Sequence, residues 1–270
     1  VALFERDRGR LKPTPEAMLL QQEADLAFSG LERLWEAAKA VRGLRRGRLR
    51  VISETVYAEG FLPRLAAAYH ADHPDVAIEL DIGPSARVAD WVAMTWYDLG
   101  IVVLPVSQPD LSIRPLLKQN AICALPSDHR LSAKQTLAPS DLRNERFVSL
   151  VAGTPFRLAI DRAFEAATVQ RDIHLEVRTQ HALCAFVAAG AGVTIVDPCL
   201  ADDIDSADIV FRPVEPEIAW EIVIVLPRAR PPSLICSDFV SFLERQVALP
   251  SALACRPTRR SSRSGERSTT

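Results

Sequence analysis

Between residues 49 and 247 the hydrophobic period switches repeatedly between two residues and 3.6, and few folds are open to a chain patterned that way. Val76, Ile78, Leu80 and Ile82 alternate with Ala77, Glu79 and Asp81, which predicts a strand buried on one face. Residues 99–104 form a short apolar run between Asp98 and Pro105, the pattern of a parallel strand covered on both faces. A strand over 49–53, a helix over 60–71 and a helix from Pro84 complete a βαβαβ unit. The alternation resumes with strands over 121–125, 147–150, 173–177, 193–196, 209–214 and 218–226, and helices over 155–167, 181–189 and 232–247. The expected fold class is α/β.

A chain of 270 residues has room for two such lobes and a smaller element. With 48% hydrophobic and 24% charged residues it can bury a real core, whereas the stretch 249–270 is too polar and basic to do so and is expected to be disordered. A net charge of -2 gives no global attraction to nucleic acid, so any DNA contact must come from a local basic patch. The five cysteines are an odd number, widely spaced and without a C-x-x-C pair, which argues against a disulfide framework or a zinc ribbon and for a reducing cytosol. The charged opening residues carry no apolar leader, and no window reaches 18 uninterrupted apolar residues, so a cytoplasmic protein with no membrane contact is expected. Because the chain starts with Val1 in the middle of a motif, further sequence is expected to precede it.

Ahead of the α/β part lies a different pattern. Thr14 is a good N-cap and Pro15 suits the first helical position, where its missing N–H costs nothing. From there Leu20, Ala24, Ala27, Leu31, Leu34, Ala38 and Val41 recur in steps of four and three, a coiled-coil seam widened by Phe28 and Trp35. The helix, about 28 residues long, is well beyond the globular mean. It runs into a basic hinge, Gly43-Leu44-Arg45-Arg46-Gly47-Arg48, and needs a partner helix to cover its seam.

Several short motifs occur in a fixed order along this frame. Leu3-Phe4-Glu5-Arg6 followed by Leu11-Lys12-Pro13-Thr14-Pro15-Glu16-Ala17 resembles the wing that closes the winged helix-turn-helix of LysR-type transcriptional regulators, departing from it by Lys12-Pro13 and by the lack of a glycine after Ala17. Gly47-Arg48-Leu49-Arg50-Val51, Phe61-Leu62-Pro63, His73-Pro74-Asp75-Val76, Tyr97-Asp98-Leu99-Gly100-Ile101, Leu125-Pro126-Ser127-Asp128-His129-Arg130-Leu131 and 187–198 resemble successive signatures of that family's sensor domain. Within the family, 61–64, 97–101 and 195–198 look most like the regulators of octopine and nopaline catabolism.

The resemblance implies the end of a wing at 1–14, with the rest of the helix-turn-helix missing, and a dimerising linker helix and hinge at 15–46. It implies a two-lobed effector-binding domain at 47–248, like the type II periplasmic binding proteins, with lobe I about 47–126 and 213–248 and lobe II about 127–212. Its implied partners are a small-molecule effector held between the lobes, DNA in the whole protein, a second copy or a tetramer, and RNA polymerase. Arg6, Arg8, Arg10 and Lys12 would neutralise phosphates from the wing, without reading sequence. Lacking a recognition helix, the chain as it stands is expected to bind DNA weakly or not at all.

Helix N-termini and strand carboxyl ends should point at the effector. The candidate loops are Ser53-Glu54-Thr55, Pro84-Ser85, Gly153-Thr154 and Thr179 with His181, whose N–H groups and hydroxyls suit a carboxylate. Asp197, and Glu54, could hold an ammonium or guanidinium, so an amino-acid-like or opine-like ligand would satisfy both ends. The alternative is that the hydroxyl residues only cap their helices and that Asp197 only caps the turn after it. His181 and Cys184 lie one turn apart, but no second pair makes a zinc spacing, and no Gly-x-Ser-x-Gly, H-E-x-x-H or Walker loop is present. No cofactor, no metal and no enzyme activity are expected. The rival readings are an amino-acid solute-binding protein of the same fold, an enzyme of that fold, and a truncated fragment that does not bind DNA.

Overall fold

The computed structural model describes residues 3–7, 10–21, 23–25, 28, 30, 35, 47–202, 204 and 207–248. The N-terminal part opens with a hairpin of β1 (Phe4–Asp7) and β2 (Arg10–Pro13), which pair antiparallel with Phe4 opposite Pro13. Thr14 then does what its position predicts. Its Oγ1 accepts the Ala17 N–H at 3.2 Å, its carbonyl accepts the Met18 N–H at 3.1 Å, and its own N–H closes the hairpin on the Leu3 carbonyl. The stalk helix follows from Pro15, and its large apolar side chains Met18, Leu19, Leu20, Phe28 and Trp35 are each more than half exposed. Of the expected seam, Leu20 and Ala24 are exposed, while Ala27, Leu31, Leu34, Ala38 and Val41 lie outside the described residues, as do 43–46 and 249–270.

The described residues fall into two compact units, one within 1–118 and 221–249 and the other within 119–220. In the first, β3 (Gly47–Ser53) runs parallel to both β4 (Val76–Ile82) and β5 (Leu99–Val103), with α1 (Thr55–Ala58), α2 (Phe61–Asp72) and α3 (Ser85–Ala93) in the connections. All five residues of β5 are buried, as its unbroken apolar run predicts, whereas β4 is an edge strand and leaves Ile82 exposed. The helix α3 lies so close to β5 that a Cβ on Gly100 would sit 2.7 Å from Val88 Cγ1. Ile52, Val88, Val92, Val102, Val223 and Val225 form the core beneath it.

Sequence periodicity overlooked β6 (Leu111–Asn120), because Pro115, Arg114 and Lys118 break the apolar pattern. It is the edge strand opposite β4 in the five-stranded sheet, where a missing N–H and charged side chains are tolerated. The chain leaves the first unit within this strand.

The second unit places β7 (Ile122–Pro126) between β10 (Thr194–Val196) and β11 (Ile209–Pro213), antiparallel to both. Its other pair, β8 (Arg146–Leu150) and β9 (Asp172–Val177), is parallel and connected by α4 (Pro155–Ala166); α5 (Gln180–Ala188) follows. Phe147 and Phe164 meet edge-on at 5.7 Å in the core, and the Arg171 guanidinium lies over both rings. Burial and the neighbouring Arg157 push the Arg171 pKa down to about 10, still cationic at neutral pH. The chain returns to the first unit along β12 (Ala219–Pro227), antiparallel to β5, and ends its described part in α6 (Leu234–Val247), capped by Ser233.

Three helices stop by one device. After α3, α4 and α5, the residues Thr95, Thr168 and Gly190 take left-handed φ of 63°, 55° and 74°. The next N–H then reaches back five residues, from Trp96 to Trp91, Val169 to Phe164 and Ala191 to Phe186. Glycine suits that position and threonine does not. Thr168 is exposed, so Thr168→Gly is expected to stabilise the second unit by about 1 kcal/mol, read as a higher denaturant midpoint at unchanged slope.

Candidate functional site

In the first unit the expected loop residues converge on the carboxyl ends of β3 and β5. Ser53 is fully buried, its hydroxyl donating to the Ile101 carbonyl at 3.2 Å. Glu54 takes the N-cap position of α1 without capping it; its Oε1 accepts the Val103 N–H at 3.0 Å and the Ser85 hydroxyl. Gly83 N–H donates to the Ser53 carbonyl, so Pro84 and the first turn of α3 are tied to the same strand end. Thr55 is half-buried and Pro84 exposed. One carboxylate is thus set among two strand ends and two helix starts, where dipoles favour negative charge.

In the second unit the loops are true caps. Thr154 Oγ1 accepts the Arg157 N–H at 3.2 Å and Thr179 Oγ1 the Ala182 N–H at 3.3 Å. Both side chains are half-buried at the starts of α4 and α5, Gly153 beside Thr154 has φ of 90°, and His181 is half-buried in the first turn of α5. Beneath the Thr154 loop, the buried Arg157 pairs with Asp161 at 2.7 Å and Glu176 at 2.9 Å and donates to the Leu150 carbonyl. That anchors the strand end from which the loop departs.

Asp197 is different. It is wholly buried, its Oδ1 accepting the Cys199 N–H at 2.8 Å and its Oδ2 the Trp220 indole N–H at 3.2 Å, while its own N–H donates to Gln180 at 2.7 Å. The geometry therefore makes it a cap of the 198–202 turn, one of the two readings open from sequence. Gln180 and Trp220, which hold it, were not singled out by any local motif.

Cys123, Cys184, Cys199 and Cys236 are buried and in no disulfide. Burial pushes the Cys123 thiol up, and Cys184 and Cys236 to about 12, so these stay protonated and unreactive. Among the described residues no cluster of His, Cys, Asp and Glu suits a metal ion, and no helix is long and apolar enough to cross a membrane. In the hairpin, register sets Lys12 opposite Glu5, Arg10 opposite Asp7 and Arg6 opposite Leu11; Arg8 lies outside the described residues.

The model of the LysR substrate binding domain family matches residues 42–248. This chain belongs to the LysR family. It is 34% identical over 251 residues to the regulatory protein NocR of Agrobacterium tumefaciens (strain T37), covering 93% of this chain and 84% of that protein. To the octopine catabolism/uptake operon regulatory protein OccR of Rhizobium meliloti it is 31% identical over 211 residues, 78% of this chain and 69% of that one. The solved structure of a full-length OxyR variant from Pseudomonas aeruginosa superposes with a TM-score of 0.71 at 20% identity, covering 94% of this chain and 85% of that chain. The fold is accordingly that of the LysR regulators, with the two α/β units of the periplasmic-binding-protein type in the effector-binding domain. The protein is a LysR-family transcriptional regulator, and its relatives are regulators rather than enzymes.

Proposed function

We propose that this LysR-family regulator responds to an amino-acid-like or opine-like effector, with Glu54, Thr55, Pro84 and Ser85 as candidate contacts in the first unit, backed by the buried Ser53, and Gly153, Thr154, Thr179 and His181 as candidate contacts in the second. The observation that carries the reading is the division of charge. The second unit offers two capped helix starts, whose N–H groups favour a carboxylate, and the first offers the Glu54 carboxylate, which favours an ammonium or guanidinium. Asp197, expected from sequence to share the cationic end, supports the site from within instead, since both its oxygens are occupied and none of it is exposed. The operon named for OccR is one of octopine catabolism and uptake, and octopine carries both charges.

In this reading the stalk helix pairs with its copy through the seam that begins at Leu20 and Ala24, consistent with the exposure of its large apolar side chains. The wing residues Arg6, Arg8, Arg10 and Lys12 contact DNA phosphates in the whole protein, and effector binding in the cytosol shifts the packing that sets the angle of paired wings and the encounter with RNA polymerase. The effector acts as a signal and is not turned over.

A thermal-shift series against octopine, nopaline, arginine, ornithine and lysine tests this. A true effector at a hundredfold its Kd stabilises by about 2.7 kcal/mol, and Glu54→Gln should remove the shift for ligands with a guanidinium or ammonium group. If none of these compounds moves the transition, the charge-divided site is wrong. Equal binding by a preparation isolated from the periplasm would favour the solute-binding reading.

A further inference from the structure

Arg157 stands where a cation is least expected. It occupies the first turn of α4, where the helix dipole disfavours positive charge, and its side chain is only 10% exposed. Carboxylates offset both costs: Asp161, one turn on, lies 2.7 Å from Nε, and Glu176 of β9 lies 2.9 Å from Nη1. Asp161 is shared with Arg171, so two guanidiniums and two carboxylates balance, and no net positive charge is added under the helix start. Stability alone gives little ground for such a cluster, because well-packed apolar side chains of similar volume often do as well or better.

What the side chain does is close a ring. Its Nη1 donates to the Leu150 carbonyl at the carboxyl end of β8, as well as to Glu176. Its own N–H donates to Thr154 Oγ1 at 3.2 Å. One residue thus fastens the 151–154 loop at both ends, by its side chain at the start and by its main chain at the finish. Between these ends Ala152 and Gly153 are exposed, and Gly153, at a φ of 90°, has nothing within 4 Å of a Cβ built on it. Without the fastening the loop could take several shapes, and ordering it would subtract from its affinity for anything it binds.

We propose that Arg157 is a positioning residue for effector binding, which acts through the 151–154 loop rather than by contact and sets how tightly and how selectively that loop takes the effector's carboxylate. This rests on the reading in which the second unit takes that group. Glu54, which takes the cationic group in the same reading, belongs to the first unit and is no part of the ring. Loosening the ring should therefore weaken only ligands that carry a carboxylate.

Calorimetric titration of the whole chain with octopine and arginine tests this, with agmatine, which is arginine without its carboxylate, read by competition. The wild type should bind octopine or arginine at least about tenfold more tightly than agmatine. Arg157→Met should weaken that ligand about tenfold and leave agmatine within about twofold. Arg157→Lys keeps the charge but not the fork that reaches three partners, and should weaken it about threefold. General damage to the unit would instead weaken all three compounds alike. If Arg157→Met does not fold, Arg157→Lys decides the matter. Unaltered octopine and arginine affinity in the variants, or equal weakening of agmatine, overturns the positioning role and leaves the effector reading standing. A wild type that binds neither octopine nor arginine, or binds agmatine equally well, overturns the carboxylate reading and the proposal with it.

Discussion

Replacing Gly192 by alanine is expected to destabilise the second unit by about 3 kcal/mol or more, whereas the same change at Gly190 should cost only about 1 kcal/mol. Gly192 has φ of 148°, and a Cβ built there would lie 2.3 Å from the Arg146 carbonyl oxygen and 2.9 Å from its carbon. Those atoms cannot retreat cheaply. The Arg146 carbonyl accepts the Val193 N–H at 2.9 Å, and the Val193 carbonyl accepts the Val148 N–H at 3.0 Å, so β8 is locked to this segment on both sides of Phe147. Moving it breaks two backbone hydrogen bonds and disturbs a side chain that is 1% exposed. At Gly190, φ is 74° and nothing lies within 4 Å, so alanine meets only the left-handed penalty. Urea denaturation of both variants measures the difference, and a Gly192→Ala protein within about 1 kcal/mol of wild type would refute the close-approach account.

The contrast between these two glycines shows where sequence reading stops. Gly190-Ala191-Gly192 reads correctly as the turn from α5 into β10, since both period and punctuation are local signals. That one glycine ends a helix while the other lets two backbones touch depends on β8, more than 40 residues upstream, and no periodicity encodes it. The same limit separates β5 from β6. A strand buried on both faces must be continuously apolar and so announces itself, whereas an edge strand is free to carry Arg114, Pro115 and Lys118 and hides among loops. Candidate site residues were legible as helix starts because Thr154 and Thr179 cap locally, three residues from their partners. The Glu54–Ser85–Val103 junction spans up to 49 residues, and nothing short of the parallel register brings it together.

Asp197→Ala is expected to cost about 3 kcal/mol of stability, with any loss of effector response following from that damage. The substitution leaves the Cys199 N–H and the Trp220 indole N–H without their acceptor in the buried interior, and an orphaned donor there bears its full desolvation cost. The injury spreads along a defined route. Trp220, 5% exposed, meets Phe156 edge-on at 4.5 Å, and Phe156 lies two residues after the Thr154 cap, so a displaced indole loosens one proposed carboxylate-binding loop. Trp220→Phe removes the indole donor itself; in that background Asp197→Ala should be about 1 kcal/mol less costly than in the wild type, a coupling read from a double-mutant cycle. A direct contact between Asp197 and the ligand makes the opposite forecast, with stability preserved, effector response abolished and no coupling to Trp220. Because the carboxylate is wholly buried and both its oxygens accept hydrogen bonds, the cycle should resolve in favour of a buried brace that keeps the loop's geometry without touching what the loop binds.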